Sequence, residues 1–195
     1  MGTMLERADA ILVIVDMQTG FFASHDTLDH DALARASARV AWLAGVAAAL
    51  DVPTVVTEED PAHNGPTDPA VLDQLGAGTP VFEKTVFGLA DQPDILAAVE
   101  ATGRRSVVLA GIETDVCVAH SALGLLDRGY TVAVVTDATF SPGEMHAHGL
   151  RRMVEAGVVA IHAKGVYYEW IRSLDAARAF EARHPHLARP PGFSL

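Results

Sequence analysis

The chain reads as a three-layer α/β/α fold around a six-stranded, mostly parallel sheet with expected strand order 3-2-1-4-5-6. Three observations predict it. Short apolar runs rich in β-branched residues recur along the chain, continuous rather than alternating, as strands buried on both faces require. Segments of helical period separate these runs, so strands and helices alternate as right-handed βαβ units. The 195 residues are 50% hydrophobic and 20% charged, a composition that suits one globular domain with a sizeable core.

The elements follow in order. Ala10–Val15 is the first strand, closed by Asp16. Residues 17–29, with Gly20 and Phe21-Phe22, read as a loop. Residues 31–50 carry apolar side chains at helical spacing, with arginines at 35 and 39 on another face. Asp51-Val-Pro53 breaks that helix before a second strand at 54–57, and the Pro- and Gly-containing stretch 58–67 reads as a solvated acidic loop. A short helix at 69–75 and a third strand at 80–82 come next, followed by Glu83-Lys84-Thr85. Pro93 sits in the first turn of a helix over 92–101, where proline is tolerated. A fourth strand begins at Ser106 and passes Gly111 into a helix reaching about Asp127. A fifth strand, 131–136, ends at Asp137; a helix runs from Ser141-Pro-Gly143 to Glu155, and a sixth strand covers 158–161. A last helix is expected over 170–182. A single domain is thus expected over 1–183, and the proline-rich segment 184–195 is expected to be an extended arm.

Ligands of such sheets lie beyond the carboxyl ends of the strands, where strand order reverses. Asp16, Lys84 and Cys117 all stand at or just past such ends. Cys117, the one cysteine of the chain, falls where a helix should begin. A lone buried cysteine is commonly a small hydrophobe, but the positive helix end and a nearby Lys84 favour thiolate. Asp16 can accept the thiol proton and activate water. Backbone N–H groups between Glu113 and Cys117 can hold an oxyanion. Together the three side chains suit acyl transfer to a cysteine nucleophile.

Val13-Ile-Val-Asp16-Met-Gln18 with Phe21-Phe22, Lys84 with Phe87-Gly88, and Gly111-Ile-Glu-Thr-Asp-Val-Cys117-Val resemble, in this order, the three blocks of the isochorismatase-like cysteine hydrolases. That superfamily includes nicotinamidases, N-carbamoylsarcosine amidases and isochorismatases. The resemblance extends to Asp137-Ala138 and implies an Asp16, Lys84, Cys117 triad, oxyanion donors at the N–H groups of Glu113 and Cys117, and a cis peptide at Ile112–Glu113. It implies a thioester mechanism on a small amide or related carbonyl substrate and a homo-oligomer, dimer or higher. Gln18, Phe21, Phe22 and Phe87 are the candidate pocket residues. Nicotinamidases carry an Asp-x-His metal pair after the second strand; here the stretch is Thr57-Glu-Glu-Asp60-Pro-Ala-His63, so no metal and no cofactor is expected. Uncharacterised isochorismatase-domain hydrolases are the nearer pattern.

Other classes fit less well. The formal charge of −11 disfavours nucleic acid and anionic membrane as partners. No segment reads as a bilayer span or signal peptide, and one cysteine suits a reducing cytoplasm, the expected location. A nucleotide- or flavin-binding oxidoreductase lacks its glycine fingerprint after the first strand. A vinyl ether hydrolase and a catalytically silent binding protein on the same fold remain as alternatives. His120 reads as a helix-surface or packed histidine, and His146 and His148 as facing different directions.

Overall fold

In the computed structural model, residues 4–24 and 27–192 are described. The strands are β1 (Ala10–Val15), β2 (Thr54–Glu59), β3 (Val81–Lys84), β4 (Ser106–Ile112), β5 (Thr131–Phe140) and β6 (Val159–Ile161). They form one sheet in the order β3-β2-β1-β4-β5-β6, and each neighbouring pair is parallel. The helices are α1 (Thr19–Ser24), α2 (Thr27–Ala49), α3 (Pro61–Asn64), α4 (Pro69–Leu72), α5 (Pro93–Ala101), α6 (Ala119–Asp127), α7 (Met145–Ala156), α8 (Ala163–Ile171) and α9 (Leu174–Arg183). Among the described residues, no helix is long and apolar enough to cross a membrane.

Side-chain alternation divides the core in two. Leu12, Ile14, Val108 and Ala110 face α2, α8 and α9. Ile11, Val13, Val107 and Leu109 face α5, α6 and α7. All six residues of β1 and all seven of β4 are buried, which is why both read as uninterrupted apolar runs.

Tertiary contacts move several boundaries. The stretch after β1 is helical at α1 rather than a loop; His25 and Asp26, within the same expected loop, lie outside the described residues. Gly20 lets this helix close on the end of α3, where a Cβ would stand 2.4 Å from the Asn64 carbonyl oxygen. β2 runs two residues past Thr57, because pairing with β3 places Glu58 opposite Glu83 and Glu59 opposite Lys84. β5 continues through Asp137 to Phe140, past an irregularity that shifts its register on β4 between Leu109 and Gly111. The last helical region is two helices. Arg172 takes a left-handed φ of 70°, and the Ser173 side chain accepts from the Ala176 N–H to start α9. Beyond His184 the chain turns at Pro185–Leu187 rather than standing out. Leu187 is buried, and its carbonyl accepts from Trp42 Nε1 at 2.9 Å.

Gly111 shows how tightly the central strands meet. Its φ is +125°, and a Cβ there would lie 1.9 Å from the Val15 carbonyl oxygen. Gly111→Ala is therefore expected to cost ~3 kcal/mol or more, since backbone on both sides must move. Gly78→Ala meets nothing within 4 Å and should cost about 1 kcal/mol, for its left-handed φ alone. Urea unfolding followed by circular dichroism measures both.

Candidate active site

β1, β3 and β4 deliver Asp16, Lys84 and Cys117 to one point at the carboxyl end of the sheet. Asp16 follows β1 directly and holds a positive φ of 49°, a strained conformation for a residue with a Cβ. Lys84 ends β3, two strands away; with strands ~4.8 Å apart, its long stem has to cross the end of β2. Its ammonium reaches Asp16 Oδ2 at 2.7 Å, Cys117 Sγ at 3.5 Å and the Val86 carbonyl at 3.0 Å. Thr57 on β2 donates its hydroxyl to Asp16 Oδ1 at 2.7 Å. Asp16, Lys84 and Cys117 are all buried, with 1%, 1% and 4% of their surface exposed.

The acidic stretch after Thr57 is not a solvated loop. Strand alternation sends its two glutamates opposite ways. Glu58 is buried and accepts from the Thr67 N–H and hydroxyl, each at 2.7 Å. Glu59 lies in the same row as Lys84 and on the same strand face as Thr57, and its Oε2 stands 3.9 Å from Cys117 Sγ. Gln18 holds Glu59 there. The fully buried Gln18 amide accepts from the Glu59 N–H at 2.8 Å, and donates to the Glu59 carbonyl at 3.0 Å and the Gly65 carbonyl at 2.7 Å. Gln18 is thus a clamp on this loop rather than a pocket wall. Glu59 is the side chain that sequence reasoning missed; the signal was its even spacing from Thr57, visible once β2 is carried to residue 59.

Cys117 sits in a π-helical turn, Thr114–Val118, that leads into α6. Such turns are frequent at functional sites. The peptide bond Ile112–Glu113 is cis. The Glu113 carbonyl accepts from the N–H groups of Val116 and Val118. The far side of the turn is held by α7 and the residues before it. Ser141 donates to Asp115 Oδ1 at 2.6 Å, His146 Nδ1 is 2.8 Å from Thr114 Oγ1, and a Cβ at Gly149 would lie 2.7 Å from the Asp115 Cα. Burial lowers the His146 imidazole from its ordinary range, against Thr136 and Asp115, which raise it.

The aromatic candidates disperse. Phe21 and Phe22 are half-buried against the α2 side of the core. Phe87 is 50% exposed and meets His120 edge-on at 5.9 Å. None of the three lines the cavity of about 820 Å³ that opens beside Lys84, bounded by Asp60, Pro61, Glu83, Thr85, Val86 and Gln92.

Burial and the neighbouring carboxylates decide the charge state of the thiol. Desolvation, then Asp16 and Glu59, push the Cys117 thiol well above its ordinary range, and Lys84 opposes them. Lys84 lies nearer to Asp16 than to sulfur, and the thiol donates toward Glu59 Oε2 at 3.9 Å. The resting form is therefore a thiol, which corrects the expectation of a ready thiolate from helix position and Lys84. Desolvation also raises Asp16, against the ammonium and the Thr57 hydroxyl that lower it. Asp16, Glu59 and Cys117 place one donor atom each within 4.8 Å of one another, the one grouping among the described residues that could face a metal. Both Asp16 oxygens already have partners in Lys84 and Thr57, so the set fits a metal poorly.

A thiol raised by folding binds a proton that the unfolded chain has released, so its contribution to stability falls as pH rises above the ordinary thiol range. The stability of Cys117→Ala relative to the parent should accordingly rise by about 1.4 kcal/mol per pH unit above ~8.5. Urea unfolding of both proteins between pH 7 and about 10 measures this difference.

The family model of the isochorismatase domain matches residues 10–164. Three solved structures share the fold along nearly the whole chain. A structure described as MAR1 ribonuclease from Caenorhabditis elegans is 27% identical, with a TM-score of 0.83 over 98% of this chain and 96% of that one. The YcaC gene product from Escherichia coli, described as an octameric hydrolase of unknown specificity, is 27% identical, with a TM-score of 0.82 over 96% and 94%. YcaC from Pseudomonas aeruginosa, solved with hexane-2,5-diol and covalent acrylamide, is 30% identical, with a TM-score of 0.79 over 95% and 94%. The match of the domain model to most of the chain, on the six-stranded sheet these structures share, makes the protein a member of the isochorismatase-like hydrolase family.

Proposed function

We propose that the protein is a cysteine hydrolase that cleaves a small amide or related carbonyl substrate through a thioester on Cys117. The observation that carries this reading is the Lys84 ammonium bonded at once to Asp16 and to the Cys117 sulfur. An acid, a cation and a thiol in mutual contact are what proton-coupled attack on a carbonyl requires. Asp16 takes the thiol proton as sulfur attacks, then gives it to the leaving amine. The N–H groups of Glu113 and Cys117 hold the oxyanion. Water activated by Asp16 then breaks the thioester and returns the proton to sulfur. Because the resting group is a thiol, proton removal belongs to the attack itself.

The covalent acrylamide on the Pseudomonas relative supports a reactive site on this fold, and the octameric Escherichia relative supports a homo-oligomer here. A cytoplasmic location fits a single cysteine kept reduced. RNA cleavage, by which the Caenorhabditis relative is described, asks for a basic phosphate-binding face. This chain has a net charge of −11, and Asp60 and Glu83 border the cavity beside Lys84.

Two measurements test the reading. Intact-mass analysis during turnover of an amide library should find an acyl group on Cys117, and Cys117→Ala should lose about three orders of magnitude in rate. Hydrolysis that survives Cys117→Ala would instead place the chemistry with a non-covalent route, such as that of vinyl ether hydrolases. In the free protein, iodoacetamide labelling of Cys117 should keep rising with pH beyond ~8.5. Asp16→Asn should move that profile to lower pH by removing a negative neighbour, and Lys84→Ala to higher pH; a thiol that resists labelling at every pH speaks against the hydrolase.

A further inference from the structure

Glu59 stands in the cluster without a role in the chemistry above. Its backbone is pinned on both sides by Gln18 and by Asn64, whose Nδ2 donates to the Glu59 carbonyl at 2.9 Å. Its carboxylate is delivered to the sulfur, 3.9 Å away. Among the described residues, no lysine, arginine or histidine forms an ion pair with it. The cation of the cluster is already committed: Lys84 points its three N–H bonds at Asp16, Cys117 and the Val86 carbonyl. Asp16 and Lys84 cancel, and Glu59 leaves the site with one negative charge in excess. Loss of the thiol proton to solvent would make that two, with sulfur and carboxylate in contact at low dielectric, where repulsion is strong.

We propose that Glu59 is the specificity-determining residue of this site, and that it receives a cationic nitrogen of the substrate (ammonium, amidinium or guanidinium) lying a few bonds from the carbonyl that Cys117 attacks. The inference rests on the hydrolase reading of Cys117 and names its substrate class. The bound cation supplies the charge the site lacks. It holds the carbonyl over the sulfur and offsets the carboxylate repulsion that adds to desolvation at Cys117, so loss of the thiol proton is eased when the correct substrate arrives. In the step itself, the S–C bond forms as the thiol proton passes to Asp16. The C–N bond then breaks as that proton passes to the leaving nitrogen. Water attacks the thioester carbonyl, the S–C bond breaks, and the acid product leaves with sulfur reprotonated. The cationic group of the substrate takes no part in bond exchange. An organic cation suits the geometry better than a metal ion, because both Asp16 oxygens are engaged and a metal would find only Glu59 and the sulfur unshared.

Charge-selective labelling of the 195-residue chain tests this without knowledge of the natural substrate. The probes are three methanethiosulfonates of similar size, carrying a trimethylammonium, a neutral and a sulfonate group, with their rates at Cys117 followed by mass spectrometry. In the parent protein the cationic reagent should react faster than the anionic one by a ratio that falls about tenfold or more in Glu59→Gln. Glu59→Asp, which keeps the charge, should retain most of the ratio. Glu83→Gln, which makes the same change in net charge on an exposed side chain, should leave it nearly unaltered. An equal ratio in the parent and Glu59→Gln, with Cys117 still reactive, overturns the assignment of Glu59 and leaves the hydrolase reading standing. A Cys117 that reacts with none of the three probes overturns both. Protection of Cys117 by micromolar Zn²⁺ in the parent but not in Glu59→Gln would make the cation a metal, and so overturns the organic-cation proposal as well. Glycinamide and acetamide form the matched substrate pair: the preference of kcat/KM for glycinamide should collapse in Glu59→Gln. An equal fall on both amides would mark Glu59 as part of the proton relay instead.

Discussion

The ion pair between Asp16 and Lys84, 2.7 Å long and almost without exposed surface, is the constraint on which the rest of the site depends. Two charges taken from water are tolerated only when each is matched and hydrogen-bonded, and removing one partner commonly costs 3–5 kcal/mol. The fold meets that condition with neighbours drawn from three strands. Thr57 from β2 satisfies the second Asp16 oxygen, Val86 beyond β3 satisfies the ammonium, and Cys117 beyond β4 completes the set. The sheet order places β1 between β2 and β4, so the carboxylate stands at the centre and the other groups converge on it. Crowding at Gly111 and the left-handed φ of Asp16 are local costs of that convergence.

The same pair explains why the thiol does not behave as a cysteine at a helix start would in isolation. A dipole and a lysine favour thiolate, but an ammonium shared with a carboxylate has less to offer sulfur. Desolvation, which penalises the anion, is the largest influence on Cys117. A sulfur held as thiol inside a charged cluster is protected from adventitious oxidation, which follows thiolate character and exposure.

Much of this was legible before the structure. Ala10–Val15 and Ser106–Ile112 are buried on both faces, so hydrophobicity alone marks them, and Asp16, Lys84 and Cys117 stand out as polar residues at strand ends. Other features depend on contacts that no local pattern encodes. Glu58 and Glu59 look alike in sequence, and only the register of β2 on β3 turns one toward Thr67 and the other toward the sulfur. Thr19–Ser24 is helical where Gly and aromatic composition suggested a loop, because Gly20 lets it close on Asn64. Arg172 interrupts a helical pattern with a left-handed residue, which glycine or asparagine would have signalled and arginine does not. Asp137 looked like a strand terminus because it is charged. It lies within β5 because its carboxylate has partners there: the Ala163 N–H at 2.7 Å, with Arg39 and His162 close by.

The cation of the cluster belongs to the shortest and outermost of the strands that build it. β3 has four residues, one neighbour, and exposed or half-exposed side chains everywhere but at Lys84. Beyond its pairing with β2, it is tied down by the Asp60 N–H donating to the Lys84 carbonyl and the Gln92 side-chain amide donating to the Glu83 carbonyl. Edge segments with few buried contacts open more readily than the body of a domain. Were β3 to loosen, Lys84 would withdraw with it, while Asp16 and Cys117 stay on strands whose pairing does not depend on β3. The durability of the Asp16–Lys84–Cys117 contact thus depends on one edge strand, and selection for a longer-lived cluster would act on Val81–Lys84 and the loops beside it before it touched the core.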